Sequence, residues 1–546
     1  MGQRARALSP LAGSRARIGS IVRRRRGAAL LALVLLLPGA PAAADPETAA
    51  PEPAAAEPAA SDLPPLVETT HTLALASGTL AYGASAGVLP VRPAPDQPEA
   101  QIFYVAYTLA DAPAADRPLT FLVNGGPGAA SAFLHLGGIG PRRLAVDSDG
   151  TLPAPPVGLA DNPFTWLAFT DLVFVDPVGT GYSRVPEVEP EAGDAESDAG
   201  DQRDFWGVTR DLESLGEFIR LYLTRTGRWP SPKVVAGESY GGFRVAALAK
   251  TLPEDFSIAP NGAILISPLL DYAMLAGNRF NLLPWVVTLP SLAATAAHHG
   301  RGALAGAAGD LAAALAPVER FALTEMLTGL AGANRLPEAA RQRFQAAMAA
   351  FTGLPEDFVA RRRGRVPIGD FAKQLLRDQE RLVGRYDGTI SGPDPYPERS
   401  GYAGGDPSFA FLTAAYAPAM VAYLRDDLQY LTDAPYRLLN RETHRRWDFS
   451  SVLEAQKQGF AGFSDELRFG LVLNPSLRVL IAHGYHDLVT PYFASRYLVD
   501  QMDLPAAVQG HVRLRNFSGG HMFYLHAASL EALHASAAEF FADLPG

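Results

Sequence analysis

The chain of 546 residues contains no cysteine. That excludes disulfides, a thiol nucleophile, thiolate metal sites and a lipidated N-terminal cysteine. A core of this size does not need cross-links for stability. Basic residues are scarce once the first 44 positions are set aside. Those 44 hold eight arginines and no acid, whereas the remainder carries 39 basic against 57 acidic side chains. No basic stripe is left to neutralise phosphates, which argues against nucleic acid as a partner. Long apolar runs are missing too. Ala28–Leu37 is about ten residues before Pro38, where a membrane span needs ~20, and no later segment is long and apolar enough. No metal-ligand cluster, phosphate loop or cofactor motif occurs, so neither a metal nor a cofactor is expected.

What is present begins with an address. Arginines, a short apolar run and Ala42-Ala43-Ala44 read as a signal peptide over residues 1–44, giving an exported protein, periplasmic or extracellular, with no span left after cleavage. Residues 45–64 are Ala/Pro/Glu-rich and read as an extended linker. Alternation over Thr70–Ala84 and Glu99–Leu109 predicts an opening antiparallel pair. Short apolar strands are expected at 118–123, 172–176, 233–236, 263–266, 478–481 and 511–517, with helices over 204–226 and 244–252. Strands alternating with helices make an α/β protein with a mostly parallel sheet. About two hundred residues of Ala/Leu-rich helical pattern interrupt it, too many for a loop. The expected organisation is a core over 65–272, an inserted, mainly helical cap over 273–474, and a second core part over 475–546. Within the cap, a Gly/Pro/Tyr-rich loop near 390–405 is expected to shape specificity more than stability.

The chemistry centres on "VVAGESYGG" at 234–242. Gly237-x-Ser239-x-Gly241 is the pattern of a strand that breaks sharply into a helix and exposes its serine. A serine hydroxyl needs a base and a group to orient that base. Asp487 follows the strand at 478–481, and His521 follows the last strand after two glycines. The order serine, acid, histidine, each after a strand, is that of α/β-hydrolases. His483, His486 and His526 are ranked as structural. An oxyanion needs fixed backbone N–H groups, which Tyr240, next to the serine, and Gly126 in the turn Asn124–Gly128 can supply.

Six motifs then carry a more specific resemblance: "NGGPGAAS" at 124–131, "NPFTW" at 162–166, "DPVGTGYSR" at 176–184, "GESYGG" at 237–242, "HGYHDLVTP" at 483–491 and "GGHM" at 519–522. In this order the chain resembles the serine carboxypeptidase family, peptidase family S10, and its bacterial members in particular. The resemblance implies an α/β-hydrolase fold with a large helical insertion. It also implies removal of C-terminal residues from peptides with a free C-terminus, by a Ser239–His521–Asp487 acyl-enzyme mechanism. Asn124 and Glu238 would then hold the substrate carboxylate, Glu238 only while protonated; burial would raise its pKa in that direction. Eukaryotic relatives carry a second glutamate that shares a proton with the first; the aligned position here is Gly138. Arg142, Arg143 or Arg244 could supply positive charge instead. The same triad also serves esterases and acyltransferases, which is the alternative reading, and an inactive binding module is a further rival that the intact triad opposes.

Overall fold

The computed structural model describes residues 63–92, 99–110, 112–186, 202–306, 310–456 and 460–545. The expected signal peptide and nearly all of the linker lie outside them. Among the described residues, the main sheet has strands β1 (Leu66–Leu75), β2 (Gly78–Val91), β3 (Ala100–Leu109), β4 (Leu119–Val123), β5 (Asp171–Val175), β6 (Lys233–Glu238), β7 (Gly262–Ile266), β8 (Arg478–Gly484) and β9 (Val512–Phe517). Their spatial order is β1-β2-β3-β5-β4-β6-β7-β8-β9. The first three strands and the β3–β5 pair are antiparallel, and every pair from β5 onward is parallel. This is the α/β-hydrolase fold.

The central strands read as unbroken apolar runs because both of their faces are covered. All five residues of β4, β5 and β7 are buried. Alternate residues feed two cores. Phe121, Val123, Val235 and Leu265 pack with residues of α1 (Val208–Thr226) and α2 (Tyr240–Phe256) on one face. Leu122, Val234, Ala236 and Ile264 face the other, against Leu530 and Phe540 of the C-terminal helix. Helix α1 stops at Gly227, whose left-handed φ of 69° lets its N–H return to the Leu223 carbonyl. One expectation needs correcting. Thr70–Ala84 is not one strand but a hairpin, β1 running antiparallel to β2 with Leu75 opposite Gly78. Alternation continues through the turn, so periodicity alone cannot see the reversal.

Between the neighbouring strands β7 and β8 lie residues 267–477, with helices that include α3 (Leu283–His298) and α4 (Leu412–Ala422). Both cores extend into this segment. Val286, Leu289 and Leu292 of α3 join the first, and Leu412, Tyr416 and Met420 of α4 join the second. The insertion therefore shares its apolar interior with the sheet.

Candidate active site

Strand β6 ends at Glu238 and α2 begins at Tyr240, which leaves Ser239 alone at the bend with φ 60° and ψ −120°. A non-glycine residue seldom adopts that conformation, and strain of this kind concentrates where function requires it. The flanking glycines answer to space. A Cβ on Gly237 would stand 2.2 Å from the Gly241 carbonyl oxygen, and one on Gly241 would stand 2.4 Å from that of Val123. The Ser239 N–H donates to the Ile266 carbonyl, so β7 holds the bend.

Asp487 and His521 meet behind it. His521 Nδ1 lies 2.7 Å from Asp487 Oδ2, and both residues are buried. The other carboxylate oxygen accepts the backbone N–H groups of Val489 and Thr490. Burial pushes the His521 imidazole down, but the Asp487 charge and hydrogen bond, with Glu238 beyond, outweigh it and leave its pKa raised. The Ser239 hydroxyl makes no hydrogen bond among the described residues; such contacts commonly tighten only when substrate binds. Serine and histidine are tied together through Ser267, which follows β7. Its hydroxyl donates to the His521 carbonyl at 2.7 Å, while Leu269 donates to the Ser239 carbonyl.

The turn after β4 lies against the bend. A Cβ on Gly125 would fall 2.5 Å from the Tyr240 nitrogen, so only glycine permits the approach. As the first helical residue, Tyr240 has no intrahelical partner for its N–H. Gly126 takes φ 101° in the same turn. The two backbone groups expected to face an oxyanion thus come from adjoining stretches of chain.

Glu238 is buried beside them. Asn124 Nδ2 donates to its Oε2, and Tyr524 Oη donates to its Oε1 at 2.6 Å. Burial pushes the Glu238 carboxyl up to about 7, with Asp487 adding and with His521, Tyr524 and Asn124 opposing. Asn124 is itself fixed, its Oδ1 accepting the Leu134 N–H. Gly138 does not face this carboxyl: a Cβ there would meet Leu530 Cδ1 at 2.5 Å. Tyr524 occupies the neighbouring place instead. Of the three arginines, Arg244 is consumed by a buried two-pronged pair with Asp211 and by the Asn124 carbonyl. Arg142 pairs with Asp161 near the surface. Arg143 forms no ion pair among the described residues.

Two of the three histidines ranked as structural, His483 and His526, have hydrogen-bond partners of their own. His483 Nε2 meets Ser495 Oγ at 2.8 Å, and burial lowers its pKa to about 4. His486 is likewise lowered to about 4 by burial. His526 pairs with Asp387 at 2.7 Å, just before the helix over Ala527–Ala542.

Sequence reasoning missed Thr490, Tyr524 and Tyr386. The Thr490 hydroxyl sits 2.7 Å from Asp487 Oδ2 and 3.1 Å from His521 Nδ1. Spacing was the available signal: Thr490 stands three residues after the acid and Tyr524 three after the base. Tyr386, from the insertion, had none. Its carbonyl accepts the His521 N–H, and its ring stands edge-on to the imidazole at 5.5 Å. The same approach accounts for a glycine just before His521. A Cβ on Gly520 would strike the Tyr386 carbonyl oxygen at 2.1 Å, so the bare turn admits a neighbouring backbone. A cavity of about 110 Å³ opens here, lined by Tyr386, Ile390, Phe411 and Leu412 of the insertion and by Met522 and Leu525.

Residues 79–268 match the family model described as serine carboxypeptidase. The pheromone-processing carboxypeptidase KEX1 of Saccharomyces cerevisiae is 31% identical over 163 residues, 29% of this chain and 20% of that protein. Serine carboxypeptidase-like 50 of Arabidopsis thaliana is 29% identical over 197 residues, covering 35% and 37%. The chain thus spans a fifth to a little over a third of these two relatives, which are fungal and plant proteins. The crystal structure of KEX1(delta)p, a prohormone-processing carboxypeptidase from Saccharomyces cerevisiae, aligns at TM-score 0.49 and 15% identity, over 85% of this chain and 92% of that one. The sequence matches support the serine carboxypeptidase family. The family-model match includes Asn124, Gly126, Glu238, Ser239 and Tyr240 and stops before Asp487 and His521.

Proposed function

We propose that this chain is an exported serine carboxypeptidase, periplasmic or extracellular, that removes C-terminal residues from peptides. The observation that carries the reading is the company kept by Glu238: a buried carboxyl pushed up to about 7, one residue from a strained serine and close to a histidine–aspartate pair. An enzyme that must hold a free carboxylate needs a neutral donor there, because a charged neighbour would repel it.

In the proposed reaction Ser239 Oγ attacks the scissile carbonyl carbon while His521 Nε2 takes its proton. Asp487 holds the Nδ1–H and stabilises the imidazolium. The developing oxyanion is met by the N–H groups of Tyr240 and Gly126. His521 then protonates the leaving amine, and the C-terminal residue departs. Water, activated by the same imidazole, attacks the ester carbonyl and releases Ser239. Asn124 and protonated Glu238 bind the substrate carboxylate until the C-terminal residue that carries it departs. Among the described residues no helix is long and apolar enough to cross a membrane.

The test compares a blocked peptide bearing a free C-terminus with its C-terminal amide. A carboxypeptidase shortens the acid and largely spares the amide. Equal cleavage of both, or faster turnover of simple esters, would point to the esterase or acyltransferase alternative.

A further inference from the structure

The tyrosines around Glu238 include one hydroxyl that the chemistry above leaves unused. Tyr416, on α4, is 0% exposed, and its Oη has no hydrogen-bond partner. Buried hydroxyls are almost always satisfied, so an orphan beside a reactive site points to a missing ligand. It lies over Gly137. A Cβ there would stand 3.0 Å from Tyr416 Oη and 2.5 Å from the ring of Tyr524, the tyrosine that donates to Glu238. The two oxygens of Glu238 take their donors from Asn124 and Tyr524, and Tyr416 Oη makes no hydrogen bond to that carboxyl.

Charge is close by. Arg143 is half-buried, in a short strand that follows the Gly137-Gly138 turn, and forms no ion pair among the described residues. Its guanidinium and the Glu238 carboxyl both lie within electrostatic reach of the neutral Tyr416 hydroxyl. Access is near as well. Leu412, one helical turn before Tyr416, and Met522 and Leu525, which bracket Tyr524, line the cavity beside His521.

We propose that Tyr416 Oη and Arg143 complete the receptor for the substrate's free α-carboxylate, in the role that a second carboxyl would otherwise fill. The inference rests on the carboxypeptidase reading and names its carboxylate site. A hydroxyl donor with a guanidinium behind it binds a carboxylate without needing to be protonated first. The receptor therefore keeps part of its affinity when Glu238 ionises.

The experiment uses the full chain and measures kcat/KM for a blocked peptide acid and for its amide. The variants are Tyr416→Phe, Arg143→Gln and Arg143→Lys. Tyr416→Phe removes an unpartnered hydroxyl and little else, and thermal melts verify folding for each protein. The acid-to-amide ratio should fall about tenfold in Tyr416→Phe and in Arg143→Gln, mainly through KM, with Arg143→Lys restoring part of it. A wild type that favours the acid, with the same ratio in both Tyr416→Phe and Arg143→Gln, overturns this inference alone. A wild type indifferent to acid or amide overturns the carboxypeptidase reading and this inference with it.

Discussion

Replacing Glu238 by glutamine removes a single titration from a buried site, and the structure sets its size. Burial moves the carboxyl from 4.5 to about 7. In the unfolded chain the same group loses its proton near the lower value. As pH rises through that window the unfolded state ionises while the folded state stays neutral, so stability present below pH 4.5 is lost as pH climbs toward 7 and stays lost above it. At about 1.4 kcal/mol per unit, the shift amounts to roughly 3 kcal/mol. Glutamine keeps an oxygen that can accept from Tyr524 and cannot ionise; it gives up the bond from Asn124 Nδ2, a loss present at every pH that cancels when two pH values are compared. Urea unfolding of both proteins at pH 4 and pH 8 isolates the effect, because other groups cancel in the difference, His521 excepted as its coupled neighbour. The variant should gain about 3 kcal/mol on the wild type between the two pH values. An equal stability difference at both would mean that Glu238 titrates normally, and the argument for a neutral carboxyl would fail.

The same substitution should reshape the rate profile. Wild-type kcat/KM on a peptide acid should decline above about pH 7 as Glu238 gains charge, and Glu238→Gln should lose that decline; superimposable curves would exclude Glu238 as its source. Ser239→Ala should reduce turnover by at least about 10⁴-fold and abolish fluorophosphonate labelling while leaving the melting temperature close to wild type. Thr490→Val takes a hydroxyl from Asp487 Oδ2 and should lower kcat several-fold, with Thr490→Ser restoring it; equal kcat in Thr490→Val would make the residue a spacer. Asp394→Ala should destabilise the protein by about 3–5 kcal/mol, measured by denaturant unfolding, because it strands a fully buried Lys373. That last expectation revises the sequence reading of 390–405. The loop also contains Ser391–Pro393, which pairs as a strand with Arg381–Val383, so part of it is structural.

Local chemistry made much of this protein legible from sequence. Strands buried on both faces announce themselves as short apolar runs, so β4, β5 and β7 were placed to within a residue or two. The bend at Ser239 was readable because its glycines answer to contacts made within a few positions of the chain and with the adjacent strand. The order of Ser239, Asp487 and His521 followed from which strand each one trails. What the tertiary structure decided depends on distance across the fold. The Tyr386 carbonyl reaches His521 from 135 positions away. Tyr524 reaches Glu238 from 286 positions away. No spacing rule encodes the Tyr386 contact, because it arises where the inserted segment meets the sheet. Burial belongs to the same class. The sequence names Glu238, but only the packed walls around it raise its proton affinity, and those walls come from separate stretches of chain.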